Sequence, residues 1–369
     1  MHGKRDHFVP RHYLRQFRFG ETDQIAIATV EPFRSIGLGR IDRQCQEDYF
    51  YERDQALNEI LWQSENDIAP VLLGVTQKRE FDAKERSALN MLAVMLHTRT
   101  RSAVEQAKVF PKRIAYEVIK SAIESGKLPE PKGGWKEGMM DLEGMPGFLI
   151  QTATIPCWME MQTLECKLLR APERSSFITS DHPVVILNQF CADAEPNRSF
   201  AGFSRSGFQL LMPISPDLCS YFYDPKVYKV GSRRHRCLNI SSGDVEIVNA
   251  LQVQSAEKCL YFHTPKLVLQ LESLVARYGH LRIPIQDSLR TLPGRNEHDE
   301  FLHIRARSVK LPAPWTFCRY RRRIASKIGS RRDDAWSASI ELLMRGIEQK
   351  PLGDGENLFT RHRRVIDMM

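Results

Sequence analysis

Arg99 lies three residues after Leu96 and seven after Leu92, which puts a guanidinium on the apolar face of a helical pattern. A guanidinium keeps its charge, so an inward Arg needs a carboxylate or a phosphate beside it. Glu65 stands on the shoulder of the preceding apolar stripe, four residues after Leu61 and three before Ile68. If the two helices run antiparallel, Glu65 and Arg99 meet. The pair then either fixes helix register or presents an anion-binding Arg held in place by Glu65. Arg101 and His97 share a neighbouring face.

Asp181 sits where Thr179-Ser180-Asp181-His182-Pro183 interrupts a strand-like run, and Pro183 forces His182 into an extended conformation. Such breaks display catalytic side chains, and an Asp at a turn also caps its own backbone. His7 and His12, five apart around Pro10, lack the i,i+4 spacing of a metal-binding pair, but His7 can point into the fold toward a carboxylate. Asn249 falls on an inward stripe with Val248, where a buried amide must satisfy both its donor and its acceptor. Gathered in one polar pocket, these residues would divide the chemistry. Arg99, Glu65, Arg101 and Asn249 would hold a phosphate-bearing ligand, and Asp181 with His7 would act as base or metal ligand. The pattern specifies neither a metal nor a cofactor.

The elements that must position them follow from periodicity. A short helix around Pro10 puts Tyr13, Leu14 and Phe17 on one face, and Gln24–Val30 alternates as a strand. Two long helices follow, one carrying Leu57 to Val75 around Pro70, the other opening at Asp82 and Glu85 with a stripe from Leu89 through Leu96 to Ala107. A helical stretch covers Ile114 to Ile123, and residues 125–147, rich in Pro, Gly and charge, read as a loop. From Phe148 onward short strands are expected at 163–170, 177–179, 184–187, 208–212 and 220–223, then a helix over 245–256 and a strand at 260–262. The expected fold is α+β: residues 1–310 form one domain, with a helical N-terminal part (45–125) packed on a strand-rich C-terminal part (148–310). Residues 311–369 form a basic extension with one amphipathic helix, carrying Trp336, Ile340, Leu343, Met344 and Ile347.

The chain of 369 residues has a net charge of +8. Residues 301–369 hold 15 Lys and Arg against 7 Asp and Glu, leaving 38 against 38 for the rest, so the whole excess lies in the last part. The clusters Arg319-Tyr320-Arg321-Arg322-Arg323, Arg331-Arg332 and Arg361-His362-Arg363-Arg364, with Phe317, Tyr320 and Trp336 among them, suit backbone contacts and base stacking on nucleic acid or another polyanion. A solvated extension is the plainer reading. No apolar run reaches the ~20 residues of a membrane span, and the charged N-terminus lacks a secretory signal, so the expected compartment is the cytoplasm. The eight cysteines are scattered without a Cys-x-x-Cys pair, which argues against a zinc site or a disulfide framework. No phosphate loop, dinucleotide fingerprint, nucleophile elbow or zinc-protease motif is present, and Gly37-Leu38-Gly39 lacks a third glycine.

His7-Phe8-Val9-Pro10-Arg11-His12-Tyr13-Leu14-Arg15-Gln16-Phe17 resembles the opening motif of the bacterial family called domain of unknown function 4238. Glu65, Arg99-Thr100-Arg101, Thr179-Ser180-Asp181-His182-Pro183, Met212-Pro213-Ile214-Ser215-Pro216 and Asn249 continue the resemblance in the family's order to about residue 263. The resemblance implies a single-domain cytoplasmic protein and no particular reaction, and the segment after about residue 300 lies outside it. Two functional expectations stand side by side. One is a protein that binds a phosphate-bearing ligand or nucleic acid and hydrolyses it. The other is a non-enzymatic binding module in which the same residues form a buried network.

Overall fold

The computed structural model describes residues 5–51, 55–136, 145–192, 202–232, 234–282, 289–293, 300–304, 309–324 and 326–348. The chain opens with strand β1 (Arg5–His7), the short helix α1 (Arg11–Leu14), β2 (Gln24–Val30), β3 (Phe33–Arg40) and β4 (Gln46–Asp48). The long helices α2 (Gln55–Lys78), α3 (Ala83–Thr98), α4 (Arg101–Glu124) and α5 (Met145–Met161) come next. After them run β5 (Glu165–Arg170), β6 (Thr179–Ser180), β7 (Val185–Leu187), α6 (Gln189–Ala192), β8 (Gln209–Pro213), β9 (Leu218–Tyr223), β10 (Tyr228–Val230) and β11 (Cys237–Asn239). The remainder is α7 (Ser242–Ser255), β12 (Cys259–Phe262), α8 (Val268–Tyr278), β13 (Leu289–Pro293), β14 (Glu300–Ile304), β15 (Cys318–Tyr320) and α9 (Asp334–Glu348).

The fold is α+β, with one correction to the expected order: the N-terminal part is strand-rich, not helical. Strands β2 and β3 enter a four-stranded sheet of order β3-β2-β12-β6, in which β2 pairs with β12, more than two hundred residues later. A second sheet, β11-β5-β9-β8-β7, has every residue of β8 and β9 buried. The helical run extends to Met161 rather than ending near 125, and the strand-rich part starts at Glu165. Helix α5 escaped the periodicity reading because its sequence, MPGFLIQTATIPCWMEM, has almost no polar face; it is sandwiched by α3, α4 and α9.

The apolar stripe expected to run unbroken from Leu89 to Ala107 is two helices. Asp82 and Glu85 form a reciprocal capping box at the start of α3. Arg99 caps its end, and the Thr100 hydroxyl accepts from the Ala103 amide to start α4. The break turns Arg99 inward and leaves Arg101 near the surface. Residues 309–324 and 326–348 lie against the body. Strand β15 pairs with β10, Trp315 and Ile340 are buried, and the Trp336 indole donates to the Met159 carbonyl. Among the described residues no helix is long and apolar enough to cross a membrane.

Candidate functional site

The α3–α4 junction gathers most of the residues singled out above. Arg99 is 2% exposed and every nitrogen of its guanidinium has a partner. Nη1 donates to Glu65 Oε1 at 2.7 Å, Nη2 to the His7 carbonyl at 2.6 Å, and Nε to the Tyr51 hydroxyl at 3.0 Å. Burial opposes the Arg99 charge, but Tyr51 and Glu65 more than offset it, and the proton is held more tightly than in a free Arg. Helices α2 and α3 thus meet through the Glu65–Arg99 pair anticipated from their stripes. His7 contributes its backbone; its ring Nδ1 donates to the Gln44 carbonyl at 3.0 Å instead of reaching Asp181. Burial lowers the His7 pKa, with Arg11 and Arg99 adding to the effect and Gln44 and Glu65 opposing it.

His12 comes within 4.0 Å of Glu65. Burial pushes its imidazole down to about 4 despite the pull of Glu65, so at neutral pH the ring is uncharged and the approach is not an ion pair. The next two residues of the junction reach the other half of the molecule. Thr100 Oγ1 shares a 2.6 Å hydrogen bond with His182 Nδ1. Arg101 stands between Glu47, at 3.6 Å, and Glu257, at 3.8 Å. Arg99 and Asp181 are therefore each one residue from the same bond, Thr100 to His182.

The Asp181 carboxylate, 8% exposed, accepts from three successive amides: Glu257 at 2.8 Å, Lys258 at 2.7 Å and Cys259 at 3.0 Å. This is the capping role, applied to the turn that leads into β12. Asn249 lies apart from the junction, on α7. Its Oδ1 accepts from the Ile178 amide at 3.0 Å, and its Nδ2 donates to the Ser176 carbonyl at 2.8 Å, which ties the approach to β6 onto the helix. Tyr51 and Thr100 belong to the junction and were not picked from the sequence. Thr100 carried the signal of an N-capping Thr, hidden by the continuous stripe; Tyr51 carried none. Among the described residues no group of three His, Cys, Asp or Glu is placed to hold a metal. A cleft of about 560 Å³ lies elsewhere, beside Glu80, Asp82, Arg234 and His235.

The second region is the ribbon of β10 and β15. Lys229 lies directly opposite Arg319, and Tyr228 opposite Tyr320. Alternation sends Tyr228 inward, where it is buried, and sends Lys229 and Arg319 to solvent. Arg322 and Arg323 follow, both exposed. Three other arginines of this part are engaged. Arg332 is buried and donates to Thr163, Glu160, Phe203 and Arg205. Arg331 pairs with Glu341, and Arg321 donates to the Pro225 carbonyl. The aromatic residues expected to stack on bases are mostly taken up by the core: Phe317 packs on Tyr221 and Trp315, and Trp336 on α5. Only Tyr320 stays half-exposed, at 48%, on the opposite face from Lys229 and Arg319. Arg361, Arg363 and Arg364 lie outside the described residues.

No curated protein and no solved structure matches the chain. A family model described as a protein of unknown function, DUF4238, matches residues 5–266, from β1 to just beyond β12, and so takes in the whole α3–α4 junction and only the β10 half of the ribbon. The chain belongs to the DUF4238 family.

Proposed function

We propose that this protein is a non-enzymatic binding module that docks a polyanion, the phosphate backbone of a nucleic acid, on the outward face of the β10–β15 ribbon. One observation carries the reading: Lys229 and Arg319 stand directly opposite each other, both exposed and, among the described residues, without an ion-pair partner. Like charges in that position destabilise a two-stranded ribbon, and an anion laid across them removes the penalty. Arg322 and Arg323 extend the same charge. Because the aromatic side chains pack inward or on the other face, the contact is to backbone phosphates and has no base preference.

The full engagement of Arg99, Asp181 and Asn249 supports their role, with Glu65 and His7, as braces of the fold rather than as a hydrolytic site. The test is fluorescence anisotropy of a labelled oligonucleotide titrated with the full chain at rising salt. Log affinity should fall linearly with log salt, by about 0.9 per phosphate contacted, or about −3.5 for four cations. The double variant Lys229→Glu/Arg319→Glu should bind at least ~10-fold more weakly with an unchanged melting temperature. Absence of binding at low salt, or equal binding by the double variant, would overturn the proposal.

A further inference from the structure

Helix α3 carries a second polar stripe, distinct from its Arg99 end. Arg86, Asn90, Ala93 and His97 fall within an arc of about 60° on a helix of 3.6 residues per turn. That arc faces the five-stranded sheet. Arg86 Nη2 reaches the Gln162 and Leu164 carbonyls just before β5, and the His97 ring packs 5.4 Å from Phe203, ahead of β8. Asn90 is 0% exposed, and neither its Nδ2 nor its Oδ1 has a hydrogen-bond partner. Arg86 Nε and His97 Nδ1, buried on the same arc, have none either.

A buried amide has to be met at both ends, and Asn90 and His97, orphaned two turns apart on one face of one helix, point to a shared partner rather than to isolated frustration. Burial holds the His97 ring neutral, at about 4. Toward His97 the wall opens, since His97 and Phe203 are only partly buried.

We propose that the α3–sheet interface holds a binding site for a small uncharged polar molecule that carries a donor beside an acceptor, gripped by the Asn90 amide and His97 Nδ1. A carboxamide or urea-type guest has that chemistry, and so does a file of water molecules in the same positions. A charged guest fits less well: Arg86, the cation on the arc, already serves two carbonyls with Nη2 and stands eleven residues, about three helical turns, from His97. The route in runs past His97 and Phe203.

The test is a high-resolution crystal structure of the wild-type chain together with native mass spectrometry and the Asn90→Leu variant. Density within hydrogen-bond distance of both Asn90 atoms is expected. An added mass released on denaturation identifies an organic guest, and the same density without added mass identifies water. In either case Asn90→Leu loses the density and melts about 2–4 °C lower. An Asn90 amide surrounded only by carbon, or an Asn90→Leu variant that melts higher than wild type, would overturn the proposal. The wild-type density decides alone if that variant does not fold.

Discussion

The α3–α4 junction and the β10–β15 ribbon both concentrate charge, and they treat it in opposite ways. At the junction the Arg99 guanidinium is buried and hydrogen-bonded through every nitrogen, and the Asp181 carboxylate is buried and accepts from three backbone amides. On the ribbon Lys229 and Arg319 share a face in water, with no carboxylate among the described residues paired to either. A buried charge is stable only when fully engaged, so a charge that has become part of the core is poorly placed to bind anything else. An exposed charge beside its like is available, and its own position is improved by a ligand. Under the proposed function, the difference separates what holds this fold from what it can offer a partner, and the inward charges become braces instead of the site.

The largest effect that sharpens this contrast is on Arg99. Arg99→Ala leaves the Glu65 carboxylate, the Tyr51 hydroxyl and the His7 carbonyl without their donor, and should cost about 3–5 kcal/mol in urea denaturation. Polyanion affinity measured well below the transition should be unchanged. A variant that kept its stability and lost affinity would show that Arg99 belongs to a ligand site after all. Asp181→Asn ranks next. A neutral amide cannot accept from three backbone amides as well as a carboxylate does, and about 2 kcal/mol should be lost, again with no change in affinity.

Acid should weaken the junction in a defined window. The His12 imidazole is depressed to about 4 in the fold, by burial first, and titrates near 6.5 when unfolded. A group whose proton is held less tightly in the native state contributes stability that is complete above about 6.5 and is lost as pH falls toward 4. The shift sets an upper bound of ~3 kcal/mol, and ~2 kcal/mol is expected because His12 is not fully sealed from water. The urea midpoint of wild type should therefore fall between pH 7 and pH 5 more steeply than that of His12→Gln. Parallel profiles would mean that His12 is solvated and that Glu65 attends to Arg99 alone.

The sequence exposed these two regions unevenly, for a physical reason. The Glu65–Arg99 pair was legible because both partners are side chains on apolar stripes of neighbouring helices. Strands β2, β5, β7, β8, β9 and β12 were legible as short, largely apolar runs, whereas β3, β10, β11 and β15 were not. Asp181 and Asn249 could be picked out but not assigned, because their partners are backbone atoms of 257–259, 176 and 178, and a backbone amide leaves no mark in residue type. The same holds for the His7 carbonyl. Helix α5 was invisible because a helix surrounded by other helices loses its polar face. Phe317 and Trp336 sit among arginines in sequence, yet Phe317 packs on Tyr221 and Trp315, and Trp336 binds α5.

The smallest expected effect is also the most discriminating. Lys229→Gln removes one of the two facing cations and leaves Arg319 without its like-charged neighbour. Stability should rise slightly, by up to about 0.5 kcal/mol, because the cross-strand repulsion is gone. The salt slope of oligonucleotide binding should drop by about 1 in the same variant, because one phosphate contact is lost. Gain in stability with loss in binding is the signature of a charge held for a partner. The opposite result, a less stable protein with an unaltered slope, would place Lys229 with Arg99 among the braces and erase the contrast between the two regions.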